Sequence, residues 1–395
     1  MSRKVKAIFF LLISCILIGE LSKTVNAQEM PSEYKIVEDI VLAEIGNGYK
    51  EFYSIEDYST NIMSAEKYEN KIDIYMFVSV DMLLKAQNVT ELPYIKGMLE
   101  KVKIDDSKMK TALTTKNNLV NSIKSENSNL LSDAQVSIVA QKINYIANSV
   151  KQYIGTVSDA NFYLKITADI DNSGTIISDT VKIYVENVEG EYDPIESVFP
   201  KSQSEMKNEG AEFVNFCIEN ADELILINVA DKNSDDNVEK MIARSTSAVN
   251  YMLKYTSNPT VCDCNNSSCS IIQDSSKWNN SSYPYNASTF LHRDCADYVS
   301  QALYESGIPT SGNWTVRSSA WISASALVNH MVDRGIFVKA SESEPITGGS
   351  IIHMPGHIVM ITYADTVNLR YSGHTRDRKD VVYVSKSDYD EYNLW

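Results

Sequence analysis

All five histidines of this chain fall between His292 and His374, and the same stretch contains Cys295. Cysteine with histidine is the equipment of covalent catalysis: a sulfur attacks a carbonyl while an imidazole takes and returns the proton. Cys295 lies in Asp294-Cys295-Ala296-Asp297-Tyr298-Val299-Ser300-Gln301-Ala302-Leu303-Tyr304-Glu305-Ser306-Gly307. Val299 and Leu303 give this segment an apolar side at helical spacing, Gly307 is placed to end it, and Pro309 follows. Cys295 is therefore expected at the start of a short helix. There the helix dipole and the unpaired N–H groups favour a thiolate and can donate to an oxyanion.

The base must come from a second element. His357 opens the apolar run His357-Ile358-Val359-Met360-Ile361-Thr362-Tyr363, which reads as a strand. A histidine at a strand start can face a helix N-terminus across a cleft. A third polar group must then fix the imidazole tautomer. His374, just past a second strand expected near Leu369 to Ser372, is the expected orienter, with Asp377 as the alternative. Asp294, Trp314, Trp321 and His353 are candidates for lining the cleft, packing being the competing role for the tryptophans. His292 is read as structural or substrate-lining, and His330 as a helix-surface residue. This chemistry calls for no metal and no organic cofactor.

A nucleophile helix followed by strands carrying base and orienter implies an α+β domain with an antiparallel sheet. At these residues the segment resembles the putative amidase domain of secreted bacterial proteins, a branch of the NlpC-type, papain-fold cysteine hydrolases. The resemblance rests on Asp294-Cys295 with Val299-Ser300-Gln301 and Gly307-Ile308-Pro309. Trp314, Ser319 to Trp321, His357-Ile358-Val359, Tyr371-Ser372-Gly373-His374-Thr375 and Asp377-Arg378 then follow in order. Upstream, Ile242-Ala243-Arg244 through Tyr251, Tyr255 and Asn258-Pro259 resembles the family's opening helix. The likeness runs from about Lys240 to Trp395, and implies hydrolysis of amide bonds, often in cell-wall peptides. Two positions depart from the family pattern: Asp297 stands where asparagine is usual, and Ser350 where aspartate normally follows glycine.

The preceding residues form a second region, expected to be α+β, with the main boundary in the polar stretch Asp231 to Asp236. Residues 28–235 and 236–395 are thus read as separate units, with division of the first into two subdomains as an alternative. Ile72 to Met82 alternates like a half-buried strand, with Ile72, Ile74, Met76, Val78 and Val80 on one face. Met109 to Asn129 reads as a polar helix. Ser132 to Ile154 carries an apolar stripe and the Ser132–Gln135 pattern of a capping box. Asn161 to Val188 reads as a hairpin turning at Asp171-Asn172-Ser173-Gly174. The same residues imitate the start of a calcium loop, but Thr180 stands where a bidentate acid is needed, which favours a plain turn. Glu205 to Glu219 is an expected helix and Leu224 to Val229 a short buried strand. No catalytic cluster is visible before residue 236.

Arg3, Lys4 and Lys6, the apolar run from Ala7 to Gly19, and Val25-Asn26-Ala27 form a secretory leader cleaved after Ala27. A lipoprotein reading through Cys15 competes with it, although Ile16-Leu17-Ile18 continues the apolar run. The formal charge of −16 becomes −19 once the leader's four basic residues and one acidic residue are removed. Such a surface argues against nucleic acid as a partner. An exported chain with five remaining cysteines suggests one free thiol. If that is Cys295, Cys217 pairs with Cys262 or Cys264, and Cys269 with the other, since Cys262 and Cys264 are too close for an easy mutual bridge. A metal reading of the trio Cys262, Cys264 and Cys269 lacks a fourth ligand nearby. The functional expectation is a secreted or wall-associated cysteine amidase or peptidase acting on peptide or cell-wall amides. A surface binding or structural protein with an inactive hydrolase-like domain is the alternative, and an acyltransferase on the same fold would differ only in its acceptor.

Overall fold

The computed structural model describes residues 34–127, 130–222, 224, 234–263, 272–284 and 294–394. The leader with Cys15, most of the expected strand at Leu224 to Val229, and Cys264, Cys269 and His292 lie outside the described residues.

Helix α1 (Lys35–Tyr49) leads into a long hairpin of β1 (Tyr53–Tyr68) and β2 (Lys71–Leu84). On β2 the alternation works as expected, with Ile72, Ile74, Met76, Val78, Val80 and Met82 fully buried. Four helices follow: α2 (Pro93–Lys101), α3 (Asp106–Ala112), α4 (Lys116–Glu126) and α5 (Asp133–Lys151). The single helix expected over Met109 to Asn129 is two, because Thr115 caps a new start by accepting the Asn118 N–H. Helix α5 opens with the expected capping box of Ser132 and Gln135.

The next hairpin pairs β3 (Val157–Asp169) with β4 (Lys182–Glu186). Its turn is a plain one: the Asp171 carboxylate accepts the N–H groups of Ser173 at 2.8 Å and Thr175 at 2.9 Å. β5 (Tyr192–Pro194) folds back on β4. Helix α6 (Gln203–Glu219) starts at a second capping box, Ser202 with Glu205. Helix α7 (Ser234–Lys254) begins inside the stretch expected to be a linker.

The last third contains α8 (Cys295–Glu305), α9 (Ser319–Ile322) and α10 (Ala324–Asp333). These are followed by β6 (Phe337–Lys339), β7 (Ile351–Met354), β8 (His357–Ala364), β9 (Leu369–Gly373), β10 (Arg378–Val382) and β11 (Asp390–Leu394). The class is α+β with a largely antiparallel sheet.

One sheet runs through both regions in the order β1-β2-β3-β10-β9-β8-β7-β11-β6, with β4 and β5 branching from β3. The crossing is the parallel contact of β3 with β10, registered at Asn161 and Val381. The Asn161 side-chain amide strengthens it by donating to the carbonyls of Lys379 and Asp380 at 3.1 and 3.3 Å. Buried charges cross at the same place. Arg378 donates from Nε and Nη2 to Glu186 Oε2 at 2.9 and 2.5 Å, with both side chains almost fully buried. Arg370 reaches the Asp159 carbonyl at 2.6 Å, the Ser158 hydroxyl at 2.9 Å and Asp380 at 3.2 Å. Tyr163, Val188, Ile352, Val359, Tyr371 and Val381 belong to one apolar cluster astride this junction. Among the described residues no helix is long and apolar enough to cross a membrane.

Candidate active site

Helix α8 forms where its sequence says it should. Its C-terminus is a Schellman motif: the Gly307 N–H meets the Tyr304 carbonyl and the Ile308 N–H meets the Leu303 carbonyl, with Gly307 at φ +92°. Its N-terminus is less ordinary. Asp294 occupies the N-cap, a position where aspartate usually caps, yet its carboxyl makes no capping bond. That carboxyl turns to His374 instead, at 2.8 Å from Nδ1. Cys295, at the first helical position, is 8 % exposed. Its sulfur meets the N–H groups of Ile358 and Ala296 and the hydroxyl of Thr375.

His357 reaches the same place from the sheet. β7 and β8 form a tight hairpin in which Met354 pairs with His357 across Pro355-Gly356. Gly356 takes φ +81°, which a residue with a Cβ rarely adopts, and so allows the reversal that delivers His357 at the strand start. Cys295 and His357 line one cleft of about 420 Å³, together with Thr375, Arg376 and, from the N-terminal region, Val188 and Glu189. α8 packs against β8, which fixes the two walls relative to each other.

Burial sets the protonation states. It pushes the Cys295 thiol up, against the pull of the Ile358, Thr375 and Ala296 donors. It pushes His357 down to about 4, helped by the neighbouring Arg376 guanidinium. At neutral pH the cleft thus holds a neutral thiol and a neutral imidazole. The thiolate expected from the helix dipole is not the resting form, because loss of solvent around the sulfur outweighs the first-turn N–H groups.

Neither expected orienter is free to hold His357. His374 is fully buried, with its ring between Tyr298 at 3.4 Å and Trp278 at 4.4 Å between centroids. Its Nδ1 meets Asp294 and its Nε2 donates to the Tyr255 carbonyl at 2.9 Å, so both ring nitrogens are engaged. Burial pushes His374 down to about 4 and Asp294 up to about 7, which favours the uncharged form of the pair, with the carboxylic acid donating to the imidazole. Asp377 accepts the Trp278 indole N–H at 2.9 Å and the Asp274 N–H at 2.7 Å. Among the described residues, no side chain hydrogen-bonds the His357 ring. His374, Asp294 and Asp377 instead brace the foot of α8.

The other candidates also move. Trp314 and Trp321 are fully buried and stack on each other at 5.0 Å, so they pack the core and do not line the cleft. Their indole N–H groups go to Ser300 and Asp297. Asp294 is buried under the helix. His353 points to the other side of the sheet, with Nε2 3.2 Å from the Ser325 hydroxyl. Cys217 is a free thiol on the buried face of α6, so the bridge expected to Cys262 or Cys264 is not made. The N-terminal core surrounds it, and burial pushes it up to about 12. Asp297, pushed up to about 7 by burial and by Asp294, sits in the α8 core. Ser350 is fully buried, donates to Asn393 at 2.6 Å and accepts the Thr347 N–H at 3.1 Å, a bracing role for the strand ends.

Thr375 and Arg376 were not foreseen. The antiparallel register of β8 and β9, read outward from Met360 and Ser372, places Thr375 across from His357, which is the signal that would have found it.

Residues 243–394 match the family model described as Putative amidase domain. The matched segment contains α8 with Cys295 and the β7–β8 hairpin with His357. Comparison with curated proteins and with solved structures gives no match. Val188 and Glu189 lie before the matched segment, so part of the cleft wall comes from outside it.

Proposed function

We propose that this chain is an exported cysteine amidase or peptidase with a papain-like catalytic unit, acting on cell-wall peptide amides. In this reading residues 236–395 carry the chemistry, and residues 28–235 complete the cleft. The observation that supports the proposal is that Cys295, at a helix N-terminus, and His357 line one open cleft, both inside a segment that matches an amidase family model.

The chemistry follows from the protonation states. Neutral His357 takes the thiol proton as the Cys295 sulfur attacks the amide carbonyl carbon, so that charge develops only during the reaction. The Cys295 N–H at the start of α8, where Asp294 bonds His374 instead of capping, is available to the developing oxyanion. The imidazolium returns its proton to the amine as the C–N bond breaks and leaves a thioester on Cys295. Water then attacks the thioester, His357 accepts its proton, and the thiol is restored as the carboxylic product departs.

The test is digestion of purified peptidoglycan with mass spectrometry of the fragments. The wild-type chain should release peptide fragments with new amine and carboxyl ends. Cys295→Ala should release none while keeping the wild-type circular dichroism and unfolding midpoint. Full activity in that variant would remove Cys295 from the mechanism.

A further inference from the structure

Among the described residues that line the cleft, Arg376 alone carries a permanent positive charge, and amide hydrolysis as derived above does not use it. Its guanidinium lies flat against Gly190, where an added Cβ would come within 2.3 Å of Cζ. Gly190 belongs to the turn between β4 and β5 and takes φ +84°. Among the described residues, the one ion pair of Arg376 is long, 3.4 Å from Nη1 to Glu186 Oε1. Glu186 is already held by Arg378 through its other oxygen, at 2.9 and 2.5 Å. The buried Arg378–Glu186 pair is therefore balanced without Arg376, whose side chain stays 28 % exposed. Glu189, the acidic residue on the same wall, accepts the Tyr389 hydroxyl at 3.1 Å and lies 3.9 Å from Lys386. Lys386 also serves Glu191 at 3.3 Å and Asp193 at 3.5 Å, so it offsets only part of the Glu189 charge.

An arginine presents a planar fork that matches a carboxylate in two hydrogen bonds. A pre-seated, part-exposed fork held only by a long ion pair, on the wall that carries Cys295 and His357, is built to receive such a group. We propose that Arg376 is the carboxylate receptor of this cleft and selects amide substrates that bear an acidic group beside the scissile bond. The inference rests on the cysteine amidase reading and names the substrate class of that site. It also gives the N-terminal region a role in selection, because Gly190 and Glu186 form the seat.

The experiment compares two alkylating agents of similar size on the full-length protein at pH 8: iodoacetate, which carries a carboxylate, and iodoacetamide, which does not. The rate of Cys295 modification is followed by peptide mass spectrometry. The ratio of the two rates cancels any change in thiolate population, including one caused by loss of the Arg376 charge near His357. The wild-type ratio should exceed that of free cysteine by about tenfold, the scale of a partly screened ion pair. Arg376→Gln should bring it within about twofold of free cysteine, and Arg376→Lys should keep part of the preference. Peptide pairs with glutamate or glutamine beside the cleaved bond should show the same collapse in relative kcat/KM. A wild-type ratio equal to that of free cysteine, or a ratio unchanged in Arg376→Gln, would overturn the assignment while leaving the nucleophile in place. Failure of both reagents to modify Cys295 would overturn the cysteine amidase reading, and the receptor with it.

Discussion

The protonation states derived for Cys295 and His357 have a sharp kinetic consequence. Burial holds the thiol above its ordinary value of 9.0 and pushes His357 down to about 4. With His357 at about 4, imidazolium is a minor form at pH 5 and negligible by pH 7, so it does not stabilise a thiolate near neutrality. With the thiol above 9.0, the thiolate is at most about 1 % of the resting protein at pH 7 and falls tenfold for each unit below. Alkylation of Cys295 by iodoacetamide should therefore rise about a hundredfold from pH 6 to pH 8, with unit slope and no shoulder. The assay is a pH–rate profile on the full-length protein, read at the Cys295 peptide. The Cys217 peptide serves as a buried control that stays unmodified, since its thiol lies at about 12. An ion-pair site behaves differently, giving a plateau between the two pKa values. A rate that is flat from pH 5 to 8 would refute the reasoning and show that the helix N-terminus outweighs burial at this sulfur.

Two stability predictions follow from the buried charges. Asp297 is pushed from 3.8 to about 7, chiefly by burial. The folded state thus holds a proton that the unfolded chain releases, and the stability it carries at low pH is lost as pH rises through about 7. Asp297→Asn removes that loss and should raise the unfolding free energy by about 1–3 kcal/mol at pH 8, with no gain at pH 4, in urea titrations at the two pH values. An equal gain at both would assign the effect to packing. Glu186→Gln leaves the buried Arg378 guanidinium uncompensated and should cost about 3–5 kcal/mol, whereas Glu186→Leu with Arg378→Met should recover most of it. Denaturant midpoints decide this, and a loss under about 1 kcal/mol in the single variant would mean that water reaches the pair.

What could be read from the residues was mostly local. The start and end of α8 follow from Val299, Leu303 and Gly307, and both capping boxes follow from three-residue spacings. The alternation on β2 survives because one of its faces is buried throughout. β1 gave no such signal: most of its side chains are exposed, so nothing in Tyr53 to Tyr68 marks an edge strand. The placement of Cys295 and His357 on one cleft was legible, because a helix start and a strand start are both local features. The support around them was not. His374 stands in the right order to orient His357, but Asp294, 80 residues earlier, and the Tyr255 carbonyl, 119 residues earlier, claim its nitrogens. Trp314 and Trp321 have the size and polarity of cleft residues, and only packing shows that they are inside. The β3–β10 crossing has a single registered pair between residues 220 positions apart, and no periodicity announces it.

That crossing limits how the polypeptide can be cut. A fragment beginning near residue 236 would retain every group proposed to react. It would also strip β10 of its neighbour and open a hydrogen-bonding rim to other molecules. Arg378 would lose Glu186, and Arg370 would lose the Asp159 carbonyl and the Ser158 hydroxyl. The truncated piece should clump on expression instead of behaving as a portable module, and grafts between relatives need to transplant β3 and β4 along with the sulfur and the imidazole.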